Sequence, residues 1–162
     1  MAEPEAVRLR RATEADGRLL LAWRNDPETR RWSHTTNEIA LEDHLNWLRG
    51  VLASPARELF VAETGDGTPA GTVRFDRLDD TTWEVSITVA PQCRGRGLAR
   101  RILAAGEREL RDRGGGGTVL ASVHEDNAAS VALFRAAGYA EVRQPDSPTG
   151  RFRRLAKELE DG

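Results

Sequence analysis

The chain has 162 residues, of which 24 are basic and 26 acidic, for a formal net charge of −2. That length suits one domain, expected to span residues 1–162 with a real core, and the charge balance argues against nucleic acid as a partner. The single cysteine, Cys93, excludes an internal disulfide framework and gives no metal-ligand cluster, while no apolar run reaches membrane-spanning length.

In chain order, residues 7–11 suit a first strand, and Thr13 and Asp16 offer a helix start ahead of Leu19, Leu20 and Trp23. Pro27 interrupts that pattern. Leu41, Leu45, Leu48 and Leu52 recur at helical spacing, so a second helix is predicted to pack this stripe on a sheet. Residues 57–64 and 70–76 read as a hairpin around Gly65-Asp66-Gly67. Residues 83–89, with β-branched Val85, Ile87, Thr88 and Val89, predict a half-buried strand that ends at Pro91. Leu98, Ile102, Gly106 and Leu110 mark the inner face of the next helix, which the glycines at 114–117 stop. A strand over 118–123, a helix opening at Asn127 and ending at Gly138, and strands over 139–143 and 152–159 complete a mixed α/β (α+β) arrangement.

The stretch from Pro91 to Arg101 carries the sharpest chemical signal. Gly95 and Gly97 permit a tight turn and close approach of a ligand, and the helix that follows begins with amides that have no intrahelical acceptor. Such a turn attracts an anion, although the spacing is neither that of a P-loop nor that of a dinucleotide fingerprint. A plain tight turn is the alternative.

Gln92-x-x-Gly95-x-Gly97, followed by Asn127-x-x-Ser130-x-x-Leu133-Phe134-x-x-x-Gly138-Tyr139, resembles the two signature motifs of the GNAT superfamily of acyl-CoA-dependent N-acyltransferases. The resemblance covers the chain from about Arg57 onward. It implies a GNAT-like three-layer fold: a central mixed sheet of six to seven strands, flanked by helices and splayed into a V-shaped cleft by a bulge in the strand over 83–89. It further implies acetyl-CoA as co-substrate, no metal, a small-molecule amine as acceptor, and direct attack in a ternary complex. Backbone groups near Ile87 and Val89 would hold the pantetheine and thioester, and Gln92, Arg94, Gly95, Arg96, Gly97, Leu98 and Ala99 the pyrophosphate. Asn127 reads both as a helix N-cap and, by resemblance, as a ligand of the pantetheine arm. The Arg94 and Arg96 side chains would add charge-assisted contacts, with a solvated basic loop as the alternative.

Phe134 departs from the family pattern. It lies against the cofactor, where many members carry a tyrosine that protonates the leaving thiolate, and a phenyl ring has no proton to give. Ser130 and Tyr139 are neighbours in sequence. Glu84 is the candidate general base, with an exposed strand carboxylate as the alternative, and His124 is a second candidate that reads equally as part of a surface turn.

Acceptor choice is expected from the N-terminal half. The segment from Trp23 to His34, with His44 and Trp47, is similar to that of GNAT groups acting on nucleotide-linked amino sugars and on protein N-termini, with aminoglycoside enzymes as relatives. Arg30, Trp32 and His34 are the substrate candidates, since rings stack on sugar or base faces and guanidinium groups pair with a diphosphate. Trp23 and Trp47 fit helical apolar patterns and read as core. A nucleotide-linked amino sugar is the favoured acceptor, and a non-catalytic acyl-CoA sensor is the reading from another class. A bacterial, cytoplasmic, membrane-free protein is expected, with a homodimer left open.

Overall fold

A computed structural model describes residues 6–33, 36–114, 117–142 and 152–159. Seven strands form one mixed sheet in the order β1-β2-β3-β4-β5-β7-β6. They are β1 (Val7–Arg11), β2 (Arg57–Thr64), β3 (Pro69–Asp79), β4 (Thr82–Val89), β5 (Gly117–His124), β6 (Ala140–Val142) and β7 (Phe152–Leu159). All neighbours are antiparallel except β4 and β5. Parallel neighbours need a crossover, and α4 (Leu98–Asp112) supplies it.

The helices take opposite faces of the sheet because strand side chains alternate. Gly106 of α4 lies so close to Val73 and Phe75 that an added Cβ would sit 3.0 Å and 3.1 Å from them. The next side chains along β3, Thr72 and Arg74, border a chamber shared with Leu20 and Trp23 of α1 (Gly17–Arg24) and His44 and Trp47 of α3 (Leu41–Ala53). Tyr139, just beyond α5 (Ala128–Ala136), meets Glu107 of α4.

The interruption expected at Pro27 is present: α1 stops at Arg24, and Pro27 opens a separate helix, α2 (Pro27–Arg31), where the Asp26 carboxylate accepts from the amides of Glu28 and Thr29, both at 3.2 Å. Two expectations need correction. In α3 the buried stripe is His44, Leu48 and Val51, whereas Leu52 is 38% exposed. Leu45 is drawn over Gly17, where an added Cβ would lie 2.5 Å from it, so the helix turns His44 inward. The second concerns the expected bulge. The β3–β4 ladder runs without interruption from Gly71↔Val89 to Arg77↔Trp83, and its irregularity lies on β3 between Arg77 and Asp79.

The splay is present without that bulge. Pairing of β4 with β5 stops after Val85↔Ala121, while β5 stays paired with β7 as far as His124↔Phe152. Burial along β4 alternates up to Val85 and is intermediate on both faces from Ser86 to Val89, where the two strands part.

Candidate active site

The parting of β4 and β5 opens a cleft of about 650 Å³ that runs to the N-terminus of α4. Ala90 donates its N–H to the carbonyl of Ala70 on the β3 side at 2.8 Å. By strand alternation, Val89 and Ile87 turn their backbone groups the other way, toward β5, beyond the end of the β4–β5 ladder. An extended amide-bearing chain would therefore find donors and acceptors along β4.

At the far end of the cleft, Gly95 and Gly97 have φ of 79° and 71°, the left-handed region that disfavours a side chain. A Cβ at either would meet no protein atom within 4 Å. Gly97 is the N-cap of α4, so the amides of Leu98 and Ala99 begin the helix without intrahelical acceptors, and both residues line the cleft. Asn127 caps α5 by accepting from the Ser130 amide at 3.2 Å and donates its Nδ2 to Ser130 Oγ at 3.0 Å. Both side chains line the same cleft, with Phe134, which is 6% exposed.

Several predicted site residues have other engagements. Arg94 lines the cleft, but its guanidinium reaches back to α2, bonding Asp26 Oδ2 at 2.6 Å, Thr29 Oγ1 at 3.0 Å and Glu28 Oε2 at 3.2 Å. Arg96 points one donor at Cys93 Sγ, 3.7 Å away, and neither it nor the exposed Gln92 lines the cleft. Arg30 bonds the carbonyls of Asn25 at 3.1 Å and Thr36 at 3.3 Å, tying α2 to the segment that follows, and stands outside the cleft. Trp32 lines the cleft with the Arg31 guanidinium 4.6 Å from its ring centroid. His34 lies outside the described residues.

His124 also lines the cleft, with its ring 5.2 Å from Trp32 and 5.3 Å from Phe152, each edge-on. Its Nδ1 accepts from the Asp126 amide at 3.1 Å. A neutral imidazole has one lone-pair nitrogen, and here that nitrogen is occupied. Glu84 shares a face of β4 with Ser86 and Thr88, one alternation beyond the cleft lining, and its Oε2 lies 3.9 Å from Arg154 Nη2. Tyr139 is removed from proton transfer: it is buried, its hydroxyl donates to Glu107 Oε2 at 2.8 Å, and burial followed by the Glu107 charge pushes its ionisation far up. Phe134 packs edge-on against that ring at 5.1 Å.

The Arg94–Asp26 contact has a pH signature. The Arg94 hydrogen bond holds the Asp26 carboxyl below its ordinary value of 3.8. Because the folded-state value is the lower one, the stabilisation is complete above that ordinary value and is lost as the pH falls through the depressed one. In urea titrations the stability gap between the wild type and Asp26→Asn stays constant above that range and closes on acidification. A gap independent of pH would show that the contact contributes nothing.

A second chamber, of about 340 Å³, lies on the α1/α3 face and shares Arg24, Arg74, Ser86 and Thr88 with the cleft. Arg24, Arg74 and His44 were not singled out as site residues from the sequence. Among the described residues no cluster of three or more His, Cys, Asp or Glu side chains could hold a metal ion. Nor is any described helix long and apolar enough to cross a membrane.

Residues 6–140 match the acetyltransferase (GNAT) domain family. The chain belongs to this family. Over 95 residues the GNAT domain is 41% identical to the N-alpha-acetyltransferase RimI of Mycobacterium tuberculosis, an alignment covering 56% of this chain and 57% of that protein's length. The crystal structure of a ribosomal-protein-alanine N-acetyltransferase from Brucella melitensis superposes with a TM-score of 0.75 at 28% identity, covering 94% of this chain and 99% of that one. Spermidine N-acetyltransferase from Vibrio cholerae, solved with CoA and spermine, shares the fold with a TM-score of 0.84 at 17% identity, covering 96% of each chain.

Proposed function

We propose that this GNAT domain, acting as one unit over the whole chain, transfers an acetyl group from acetyl-CoA to a primary amine by direct attack in a ternary complex. The observation that carries the reading is the opening between β4 and β5, with backbone groups of Ile87 and Val89 turned into it and the Gly95–Gly97 turn at its end. The pantetheine arm lies along β4, with Asn127 as a further contact, and the pyrophosphate meets the first amides of α4. Acetyl-CoA is a cytoplasmic metabolite, and the reaction is placed there.

A thioester is already activated, so the task is to set an uncharged amine beside the carbonyl and to stabilise the oxyanion. The amine nitrogen attacks the carbonyl carbon, the carbon–sulfur bond breaks, and the CoA thiolate departs. Phe134 gives it no proton and Tyr139 is buried away from it, so the thiolate takes its proton from water, directly or relayed through the Ser130 hydroxyl. The proton lost by the amine leaves through water toward Glu84, which stands on the chamber side of β4, two residues from Ser86.

The acceptor in this reading is a small amine, with an amino sugar on a nucleotide carrier as its favoured form. A protein N-terminus is the second reading, supported by the 41% identity to the mycobacterial N-alpha-acetyltransferase. The test follows free thiol while the pure protein meets acetyl-CoA and a panel containing a UDP-4-amino-sugar, an aminoglycoside and N-terminal peptides. Acceptor-dependent thiol release is expected, and Glu84→Gln lowers kcat more than acetyl-CoA affinity. Acetyl-CoA binding with no release across the panel would instead identify an acyl-CoA sensor.

A further inference from the structure

Helix α2 has little packing of its own. None of its five residues is buried, yet Glu28 and Thr29, with Trp32 and Ser33 just beyond its end, line the cleft. Internal bonds make it a stiff unit: Asp26 caps it, Ser33 Oγ donates to the Thr29 carbonyl at 2.7 Å, and Arg30 donates to the Asn25 carbonyl. Its position over the cleft comes from elsewhere.

Two contacts from distant parts of the chain bear on that position. At the start of α2, Arg94 brings one guanidinium against the Asp26 and Glu28 carboxylates and the Thr29 hydroxyl. Beyond its end, the Trp32 ring meets His124 on β5, which in turn meets Phe152 on β7. The helix thus reaches from the Gly95–Gly97 turn to the β5 side of the gap. Arg94 stands on a firm base, since the buried Cys93 before it donates its amide to the Ala90 carbonyl at 2.8 Å, just past the end of β4.

We infer that Arg94 is a positioning residue for the acceptor: it holds α2, and through α2 the Trp32 ring, across the cleft, and it keeps that hold when the cofactor binds. The inference rests on the acetyl-transfer reading and says which residue sets the acceptor side of that site. One exposed ion pair is worth little, but this guanidinium answers two carboxylates and a hydroxyl at once. A pyrophosphate would have to draw it away from both carboxylates. The amides of Leu98 and Ala99, which begin α4 without intrahelical acceptors, carry no such cost.

Arg94→Gln, Arg94→Lys and Asp26→Asn test this, the last because asparagine preserves the α2 cap while removing the charge. Calorimetric titration gives CoA affinity, and hydrogen exchange read by mass spectrometry on peptides spanning residues 26–33 gives the hold on α2. Thiol release with whichever amine of the UDP-4-amino-sugar, aminoglycoside and peptide panel turns over gives kcat and KM. Circular dichroism and thermal melting serve as fold controls.

In Arg94→Gln the α2 amides are expected to exchange about tenfold faster, and the acceptor KM to rise about tenfold with kcat changed less, the scale of a few charge-assisted contacts. CoA affinity stays within about threefold. Arg94→Lys recovers part of both losses, and Asp26→Asn adds little to Arg94→Gln because the two remove one contact. In the wild type, saturation with CoA makes α2 exchange no faster.

A loss of CoA affinity beyond about threefold in Arg94→Gln makes Arg94 a phosphate ligand and overturns the inference. So does α2 exchange at the wild-type rate in that variant, an unchanged acceptor KM, or faster α2 exchange when CoA saturates the wild type. Failure of every amine to release thiol, with the exchange and CoA results as expected, counts against acetyl transfer and not against the hold of Arg94 on α2.

Discussion

Gly97→Val weakens acetyl-CoA binding by about two orders of magnitude while the chain stays folded. At φ 71° a β-branched residue is strained, at a cost on the order of 1–3 kcal/mol, and the turn relieves that strain by moving. Movement displaces the amides of Leu98 and Ala99, the groups assigned to the pyrophosphate. The new side chain also occupies a space that holds no protein atom within 4 Å of its Cβ, which is the side from which a ligand approaches. Strain and obstruction together reach about 3 kcal/mol, or roughly a hundredfold in the dissociation constant. Calorimetric titration with CoA measures it, with Gly97→Ala giving a smaller loss. A folded valine variant that binds within about threefold of the wild type would remove this turn from the cofactor site.

Glu107→Ala is expected to lower the unfolding free energy by about 3 kcal/mol, the scale for breaking a buried, hydrogen-bonded charge pair. Glu107 is 5% exposed on the inner face of α4. It accepts from Tyr139 at 2.8 Å and from Lys157 at 2.9 Å, and the same ammonium donates to the Ala137 carbonyl at 2.7 Å, at the end of α5. One carboxylate thus ties α4, the turn after α5 and β7 together. Its loss takes the counter-charge from a half-enclosed ammonium, which keeps the Ala137 carbonyl, and the acceptor from a buried phenol. Glu107→Gln keeps the acceptor oxygen and loses the charge, and is expected to cost about half as much. Urea denaturation ranks the two, and an alanine variant as stable as the wild type would show that the contacts carry no net stability.

The strands were the most legible part of the chain. The spans read over 7–11, 57–64 and 152–159 coincide with β1, β2 and β7, because alternation and turn residues are local signals. The turn at Gly95 and Gly97 and the cap at Asn127 were legible for the same reason: their geometry is decided within a few residues. In α3 the leucines misled, since the inward face includes His44, whose burial depends on α1 packing above it. Arg94 was read as a phosphate contact, yet its partners Asp26, Glu28 and Thr29 lie more than sixty residues earlier in the chain. Arg24 and Arg74 escaped notice for a related reason. They meet at one chamber only because β3 passes beneath α1 with its even-numbered side chains facing that helix, a fact of topology that no short window contains.

The end of the β4–β5 ladder has a mechanical meaning. The sheet is two ribbons, β1 to β4 and β5-β7-β6, sewn together only from Thr82↔Thr118 to Val85↔Ala121, with the remaining length of both strands standing apart. That short seam works as a clothes-peg spring: its twist fixes the angle between the ribbons, and the gape at Ile87 and Val89 is that angle multiplied along the strands. Residues of the seam that line no part of the cleft therefore set its width where the proposed acyl chain would lie.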